Sequence, residues 1–357
     1  MNGPASSSNP ANPANLADPG ENSLADAPVQ VATPQKERPP QITGGFLNVN
    51  KPAGMTSMDV IRVIRRLTGQ RKVGHGGTLD PDATGVLPIC IGRATRFIDR
   101  FVQGRKVYQA TARFGTATDT YDASGRVTAE FDASAITRVA IEAVLPRFTG
   151  PISQVPPMYS AVKIDGVRLY KLARAGKEVE RKAREVMVYS LEITSWGVTT
   201  GEIASGEPPS LELTIECGSG FYARSVVHEI GLALDNAAHL AGLVRSQVGP
   251  FILEDAVTLD EIEQAANDGD WERLLYPIDA AFLDLPAVVM DPVQEEAVGH
   301  GQSVQIGVPG IQGDAGKGLP AGGTEVRAYN RDGELIALMI YDAVLGQLTP
   351  IRVLMAN

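Results

Sequence analysis

Two hydrophobic periods alternate along this chain. Over residues 56–69, Val60, Ile61, Ile64 and Leu67 fall at helical spacing while Arg62, Arg65 and Arg66 take the other face, which predicts an amphipathic helix. Thr56 or Ser57 can cap its start, Asp59 sits in its first turn, and Gly69 ends it. Residues 107–114 switch to a period of two, with Tyr108 and Ala110 on one face and Val107 and Gln109 on the other. That is the pattern of a half-exposed strand. Residues 45–52 predict a short strand ending in a turn, 86–91 a buried strand, and 211–217 another. The stretch 136–148 reads as helical, and a further helix is predicted over 221–234, entered through the turn Gly218-Ser219-Gly220.

Two parts of the chain break this alternation. Residues 1–43 are rich in Ala, Pro, Asn and Ser with hardly a periodic position. They offer too little apolar surface to offset the entropy of ordering and are expected to be a disordered tail. From residue 285 onward short strands crowd together, at 288–290, 303–306, 325–329, 335–340 and 351–354, with a hairpin turn at Asn330-Arg331-Asp332-Gly333. Such crowding predicts a small barrel. The glycine-rich stretch 310–323 is expected to be a mobile loop. The division expected is a tail (1–43), a large mixed unit (44–284) and a small β unit (285–357).

Hydrophobic residues make up 43% of the 357 positions, enough for a sizeable core. The two cysteines, Cys90 and Cys217, stand far apart in apolar, strand-like settings. This excludes a disulfide framework and a cysteine-based zinc site, and it points to the reducing cytoplasm. No apolar run approaches the ~20 residues that span a bilayer. The start of the chain lacks the basic-then-apolar pattern of a secretory leader. A net charge of -10 argues at first against a nucleic-acid partner, but the average conceals a gradient. Residues 51–113 hold twelve Lys and Arg against four Asp, whereas 251–300 hold thirteen acids against Arg273 alone. A basic first half is what phosphate contacts require. Residues 163–184 add eight Lys and Arg against three acids. Val167, Leu169, Tyr170, Leu172 and Ala173 suggest an amphipathic helix there, followed by a basic arm.

Much familiar chemistry is missing from the chain. It has no phosphate-binding Gly-x-x-x-x-Gly-Lys loop and no dinucleotide glycine pattern in a β-α-β setting. His75, His228, His239 and His300 form no metal-ligand pair, and no serine-nucleophile elbow has triad partners. A cofactor-free, metal-free protein is expected, with catalysis resting on side chains. The candidate is the stretch Gly74-His75-Gly76-Gly77-Thr78-Leu79-Asp80-Pro81-Asp82-Ala83-Thr84-Gly85-Val86-Leu87-Pro88. Small residues let this backbone bend sharply and come close to a ligand. Taken alone it reads first as a surface turn with an Asp beginning the next element. A carboxylate such as Asp80 can serve as nucleophile or base if it stays ionised in a partly dry pocket, and an arginine beside it would offset the rise in pKa that burial causes. Arg224, in the first turn after Gly220-Phe221-Tyr222, is such a group, and Tyr108 could present an aromatic face to a base.

Four stretches in order resemble the TruB family of bacterial tRNA pseudouridine synthases. They are Phe46-Leu47-Asn48-Val49-Asn50-Lys51-Pro52, the run from Lys72 through Pro88, the run Gln154-Val155-Pro156-Pro157-Met158-Tyr159-Ser160-Ala161-Val162-Lys163, and Gly220-Phe221-Tyr222-Ala223-Arg224-Ser225. The resemblance covers about 45–285 and weakens beyond. It implies an α+β fold with a mixed, mostly antiparallel sheet and flanking helices, ending in a small PUA-like RNA-binding barrel. It implies conversion of uridine 55 in the T-arm of tRNA to pseudouridine, in the cytoplasm, by a monomer that requires no protein partner. Asp80 then matches the catalytic aspartate, and His75 the histidine that packs into the opened RNA loop. Tyr108 matches the tyrosine stacking on the uracil, Arg224 the arginine paired with the aspartate, and Tyr222 and Leu243 the pocket lining. Residues 163–184 match the insertion that grips the arm. Asp82 departs from the family pattern and would add negative field near the pocket. Which atom Asp80 attacks stays open. Two other readings are a guide-dependent ribosomal RNA synthase of the dyskerin type and an RNA-binding module without catalysis.

Overall fold

From Gly44 the chain runs β1 (Gly44–Lys51), α1 (Ser57–Thr68), β2 (Val73–His75), β3 (Thr84–Gly92), α2 (Ile98–Gln103), β4 (Lys106–Phe114), β5 (Thr116–Thr118), β6 (Val127–Glu130), α3 (Arg138–Val144), β7 (Gly150–Gln154), β8 (Lys163–Ile164), β9 (Val167–Arg168), α4 (Leu169–Arg174), β10 (Arg184–Gly197), β11 (Ser210–Cys217), α5 (Ala223–Ala233), β12 (Ala238–Val248), β13 (Phe251–Ile252) and α6 (Leu259–Asp268). A second set follows: β14 (Ala287–Val289), α7 (Pro292–Gly299), β15 (Val304–Gln305), β16 (Ile311–Gln312), β17 (Glu325–Tyr329), β18 (Leu335–Asp342) and β19 (Gln347–Val353). The computed structural model describes residues 44–357 except 161, 165, 177–178, 198–208, 307–310, 313–320 and 355–357. The expected tail, 1–43, and most of the expected loop, 310–323, lie outside the described residues.

Local chemistry explains the first helix. Thr56 and Asp59 exchange side-chain and backbone bonds in a capping box, and Gly69 closes the helix at φ 68. Val60, Ile61 and Ile64 are buried, as the spacing predicts. Two expectations need correction. The helix expected over 136–148 is α3 followed by a 3-10 turn over Leu145–Phe148, because Pro146 lacks the N–H that a continuing α-helix needs. The helix expected around Val167 to Ala173 shrinks to α4, because Gly166, at φ 81, turns β8 back onto β9 first.

The large sheet has the order β1-β3-β12-β4-β11-β10-β7, with β2 on β3 and β13 on β12. Its pairs are antiparallel apart from the junction of β12 with β3. β3 is covered on both faces: Val86 and Cys90 join an aromatic core with Phe46, Phe101 and Phe251, while Leu87, Ile89 and Ile91 meet α1 and α6. This two-sided burial is why 86–91 is a continuous apolar run. Further along, Val226, Val227 and Ile230 of α5 share one core cluster with Leu211, Leu213 and Ile215 of β11. Each fully buried side chain of this size stabilises the fold by about 1.5–3 kcal/mol. The later strands form the order β15-β19-β18-β17-β14-β16, an open sheet curled into a half-barrel. Leu338 and Leu354 from this part share the aromatic core with Phe97 and Phe282. Cys90 and Cys217 are buried, and burial pushes both thiols up to about 12.

Candidate active site

The loop between β2 and β3 returns to the sheet at its parallel junction, where Val244 of β12 faces Thr84 and Arg245 faces Gly85. Gly85 has φ +100, and a Cβ there would lie 2.3 Å from the Arg245 carbonyl oxygen, so only glycine lets the strands close. Both neighbours of Asp80 are anchored. Ser57 Oγ accepts the Leu79 N–H at 2.9 Å and donates to the Leu79 carbonyl at 3.2 Å. The Pro81 carbonyl accepts the Gly54 N–H at 3.0 Å and the Lys51 ammonium at 2.9 Å. Lys51 also donates to Pro52 and Met55, at 2.8 and 2.7 Å. Burial lowers this ammonium to about 8 against the pull of Asp82 and Asp80. Asp82 is exposed, and its added negative charge acts on Lys51.

Opposite the loop, Tyr222 stands at the N-cap of α5. The Gln154 side chain clamps its peptide, accepting the Tyr222 N–H at 2.8 Å and donating to the Tyr222 carbonyl at 3.0 Å. Arg224 follows in the first turn with its side chain only 5% exposed, far from the surface cation it suggests in isolation. Its Nη2 lies 2.9 Å from Asp80 Oδ2 and donates to the Tyr159 carbonyl at 2.9 Å. Its Nη1 donates to the Thr120 carbonyl at 3.3 Å and lies 3.4 Å from Asp122 Oδ2. One buried guanidinium therefore joins two carboxylates from two loops.

Asp80 keeps 48% of its side chain open to solvent while its Oδ2 faces the buried guanidinium of Arg224. Desolvation raises its carboxyl above the ordinary value; Arg224 and Lys51 pull it back, and Asp122 adds to the rise. Burial and the arginine therefore act on this carboxyl in opposite directions.

β4 and β12 form the adjoining wall. Tyr108 is opposite Arg245 and Ala110 opposite Leu243, so the four residues share one face. Tyr108 stands 6.4 Å from the Phe221 ring, centroid to centroid. Burial raises its phenol, Arg245 lowers it, and the Asp80 charge also reaches it. Leu243 packs against the same core cluster. Tyr222 is raised by burial and lies within the fields of Arg224 and Asp80. His75, on β2, is lowered by burial and by Arg245, and its buried Nδ1 has no hydrogen-bond partner among the described residues. The fold thus gathers Asp80, Arg224, Tyr108 and Tyr222 electrostatically, with His75 and Leu243 beside Arg245.

Three residues here escape sequence reasoning. Lys51 stands in the stretch Asn48-Val49-Asn50-Lys51-Pro52, where the sequence gives it no role. Asp122 sits in the turn signature Thr120-Tyr121-Asp122-Ala123-Ser124-Gly125, which reads as an ordinary loop. Arg245, 1% exposed, donates from Nε to the Val86 carbonyl at 2.8 Å and from Nη2 to the Gly77 carbonyl at 3.1 Å, tying the Asp80 loop to β12. Its only signal is a charge inside the strand-like run Leu243-Val244-Arg245. Among the described residues no cluster of three His, Cys, Asp and Glu side chains could hold a metal ion, and no helix is long and apolar enough to cross a membrane. A separate open groove of about 800 Å³, lined by Arg138, Glu142, Leu145 and Leu191 among others, contains none of these residues.

Residues 65–223 match the N-terminal domain model of TruB family pseudouridylate synthases, and 224–283 match the C-terminal domain model of tRNA pseudouridylate synthase B. The tRNA pseudouridine synthase B of Symbiobacterium thermophilum is 46% identical over 72% of this chain and 82% of its own length. The chain belongs to the TruB family of pseudouridine synthases. The synthase of Geobacillus thermodenitrificans is 44% identical over 73% of this chain and 86% of the relative. Among solved structures, a chain of a Cbf5–Nop10–Gar1 complex aligns with a TM-score of 0.63 at 28% identity, covering 87% of this chain and 85% of that one. A chain of an H/ACA RNP bound to a substrate RNA aligns with the same TM-score at 26% identity, covering 88% and 86%. The boundary between the two matched TruB models falls inside α5, immediately before Arg224, so the Asp80–Arg224 pair joins both segments.

Proposed function

We propose that this protein isomerises a uridine of tRNA, position 55 in the T-arm, to pseudouridine, with Asp80 as the catalytic carboxylate. The observation that carries the reading is the Asp80–Arg224 pair, buried on the arginine side and open on the aspartate side. The reaction breaks the N1–C1′ bond, turns the uracil, and joins C5 to C1′; the C5 proton leaves and N1 gains one. Nothing is oxidised or hydrolysed, so one ionised carboxylate acting at C6, C1′ or the C2′ proton suffices. The uridine must first leave its stack, at a cost of about a few kcal/mol. In this reading Tyr108 stacks on the extruded base and offsets roughly 1–3 kcal/mol of that cost. His75 packs into the opened RNA loop, and Tyr222 and Leu243 line the pocket. The C-terminal half-barrel acts as a PUA-like RNA-binding domain, and residues 163–184 grip the arm. The protein works in the cytoplasm as a monomer without a required partner, metal or cofactor.

The guide-dependent reading draws on the likeness to chains from H/ACA assemblies at 26–27% identity. The 42–46% identity to synthases named for tRNA favours the first reading. The deciding experiment maps pseudouridine in a bare T-arm minihelix after incubation with purified protein and no guide RNA, metal or nucleotide. Conversion at one uridine is expected; conversion only with a guide and partner proteins rejects the tRNA reading. Cutting residues 163–184 back to a short turn is expected to weaken minihelix binding and flatten its dependence on salt, because fewer counterions are then released.

A further inference from the structure

Arg224 and His228 lie four residues apart on α5 and so project from one side of the helix, a turn apart. Asp122 meets Arg224, and the residue before it, Tyr121, meets His228. The two rings are stacked with centroids 4.0 Å apart and planes 11° apart. Tyr121 also has a left-handed backbone at φ 64, a conformation that a bulky residue adopts only where its surroundings over-determine it. Those surroundings are visible. The Tyr121 N–H donates to the Thr118 carbonyl at 3.2 Å, and the Tyr121 carbonyl accepts the Leu240 N–H at 2.9 Å. The Ala123 N–H returns a bond to the Leu240 carbonyl at 2.9 Å. Backbone bonds thus fix the turn to β12, and the ring stack fixes it to α5. The imidazole presents its face to Tyr121; burial lowers it, a bond to the Ala238 backbone opposes that, and its buried Nδ1 has no hydrogen-bond partner among the described residues.

The left-handed turn at Tyr121 directs the next carboxylate back onto the guanidinium that holds Asp80. We infer that Tyr121 and His228 form a positioning clamp that keeps Asp122 against Arg224 and thereby sets the field in which Asp80 acts. The clamp rests on the proposed role of Asp80 and lies outside the residues assigned to the base.

The test measures kcat, KM and the kcat–pH profile on a tRNA T-arm substrate, with thermal melting as a check on folding. The variants are His228→Ala, His228→Phe and Tyr121→Gly, each alone and combined with Asp122→Asn. His228→Ala is expected to lower kcat about tenfold with KM changed less than about twofold, since loosened geometry costs rate before binding. Its acid midpoint should move to lower pH, as in Asp122→Asn. His228→Phe keeps an aromatic face and should recover the rate. Tyr121→Gly permits the same backbone without the ring and should match His228→Ala. In the Asp122→Asn background, His228→Ala should cause no further loss. Full additivity in that background, failure of His228→Phe to recover the rate, or an unaffected His228→Ala in an active protein overturns the clamp alone. A wild-type protein that makes no pseudouridine overturns the functional reading, and the clamp with it.

Discussion

Arg224 holds two carboxylates that differ in nearly every other respect. Asp122 is tied down: its Oδ1 accepts Thr120 Oγ1 at 2.7 Å, the Ser124 N–H at 3.1 Å and Ser124 Oγ at 2.6 Å, while Oδ2 lies 3.4 Å from the guanidinium. Asp80 faces the same guanidinium at 2.9 Å, with its flanking backbone anchored and its side chain about twice as exposed, 48% against 23%. A carboxylate with its lone pairs occupied is a fixed charge. One with lone pairs free, beside a cation that keeps it ionised, can attack or take a proton. Under the proposed function, the 119–125 turn serves as structure and the 76–83 loop as chemistry, although both carry the same functional group.

The strongest challenge to that contrast is Asp80→Asn. It should abolish pseudouridine formation, by about 10³-fold or more in kcat, while tRNA affinity and melting temperature change little. Retained activity, read by pseudouridine mapping, would end the assignment. Arg224→Ala should combine both effects. Activity falls about 10²-fold, and the fold loses about 3 kcal/mol, because Asp122 and the carbonyls of Thr120 and Tyr159 lose their buried donor. Denaturant unfolding beside single-turnover kinetics separates the two losses.

Asp122→Asn probes the fixed charge. Asp122 raises the Asp80 carboxyl, so removing its charge lowers it, and the acid limb of the kcat–pH profile should move to lower pH. We expect kcat at neutral pH to fall about tenfold as the guanidinium loses one of its supports; an acid limb that moves upward or stays put would contradict the electrostatic link. The smallest effect is expected from Ser124→Ala, which removes one hydroxyl bond to Asp122 and leaves the Ser124 N–H bond in place. Stability should drop by about 1 kcal/mol, and kcat by roughly twofold.

Local rules make part of this arrangement legible in the chain. The capped helix α1, the alternation of β4 and the turn before α5 depend on residues within a few positions of one another, so propensity, caps and glycine read them correctly. β10, β12 and α6 stand in the structure without a matching expectation. β12 is central in the sheet, yet polar Ser246 and Gln247 and the buried Arg245 interrupt its apolar pattern, and its register slips at two irregularities. Tertiary pairing, rather than propensity, makes it a strand.

The candidate site divides in the same way. A compact Gly- and Pro-rich loop announces Asp80 and His75 because sharp bends need small residues, and that requirement is written in consecutive positions. The chain itself determined that loop, the helix turn carrying Arg224, and the basic first half. Only the tertiary structure decided that Arg224 is buried rather than solvated, that Asp122 shares it, and that Arg245 ties the loop to β12. Those contacts join residues 102 to 168 positions apart, and the energy of a charge depends on what surrounds it, which no local pattern of residues encodes.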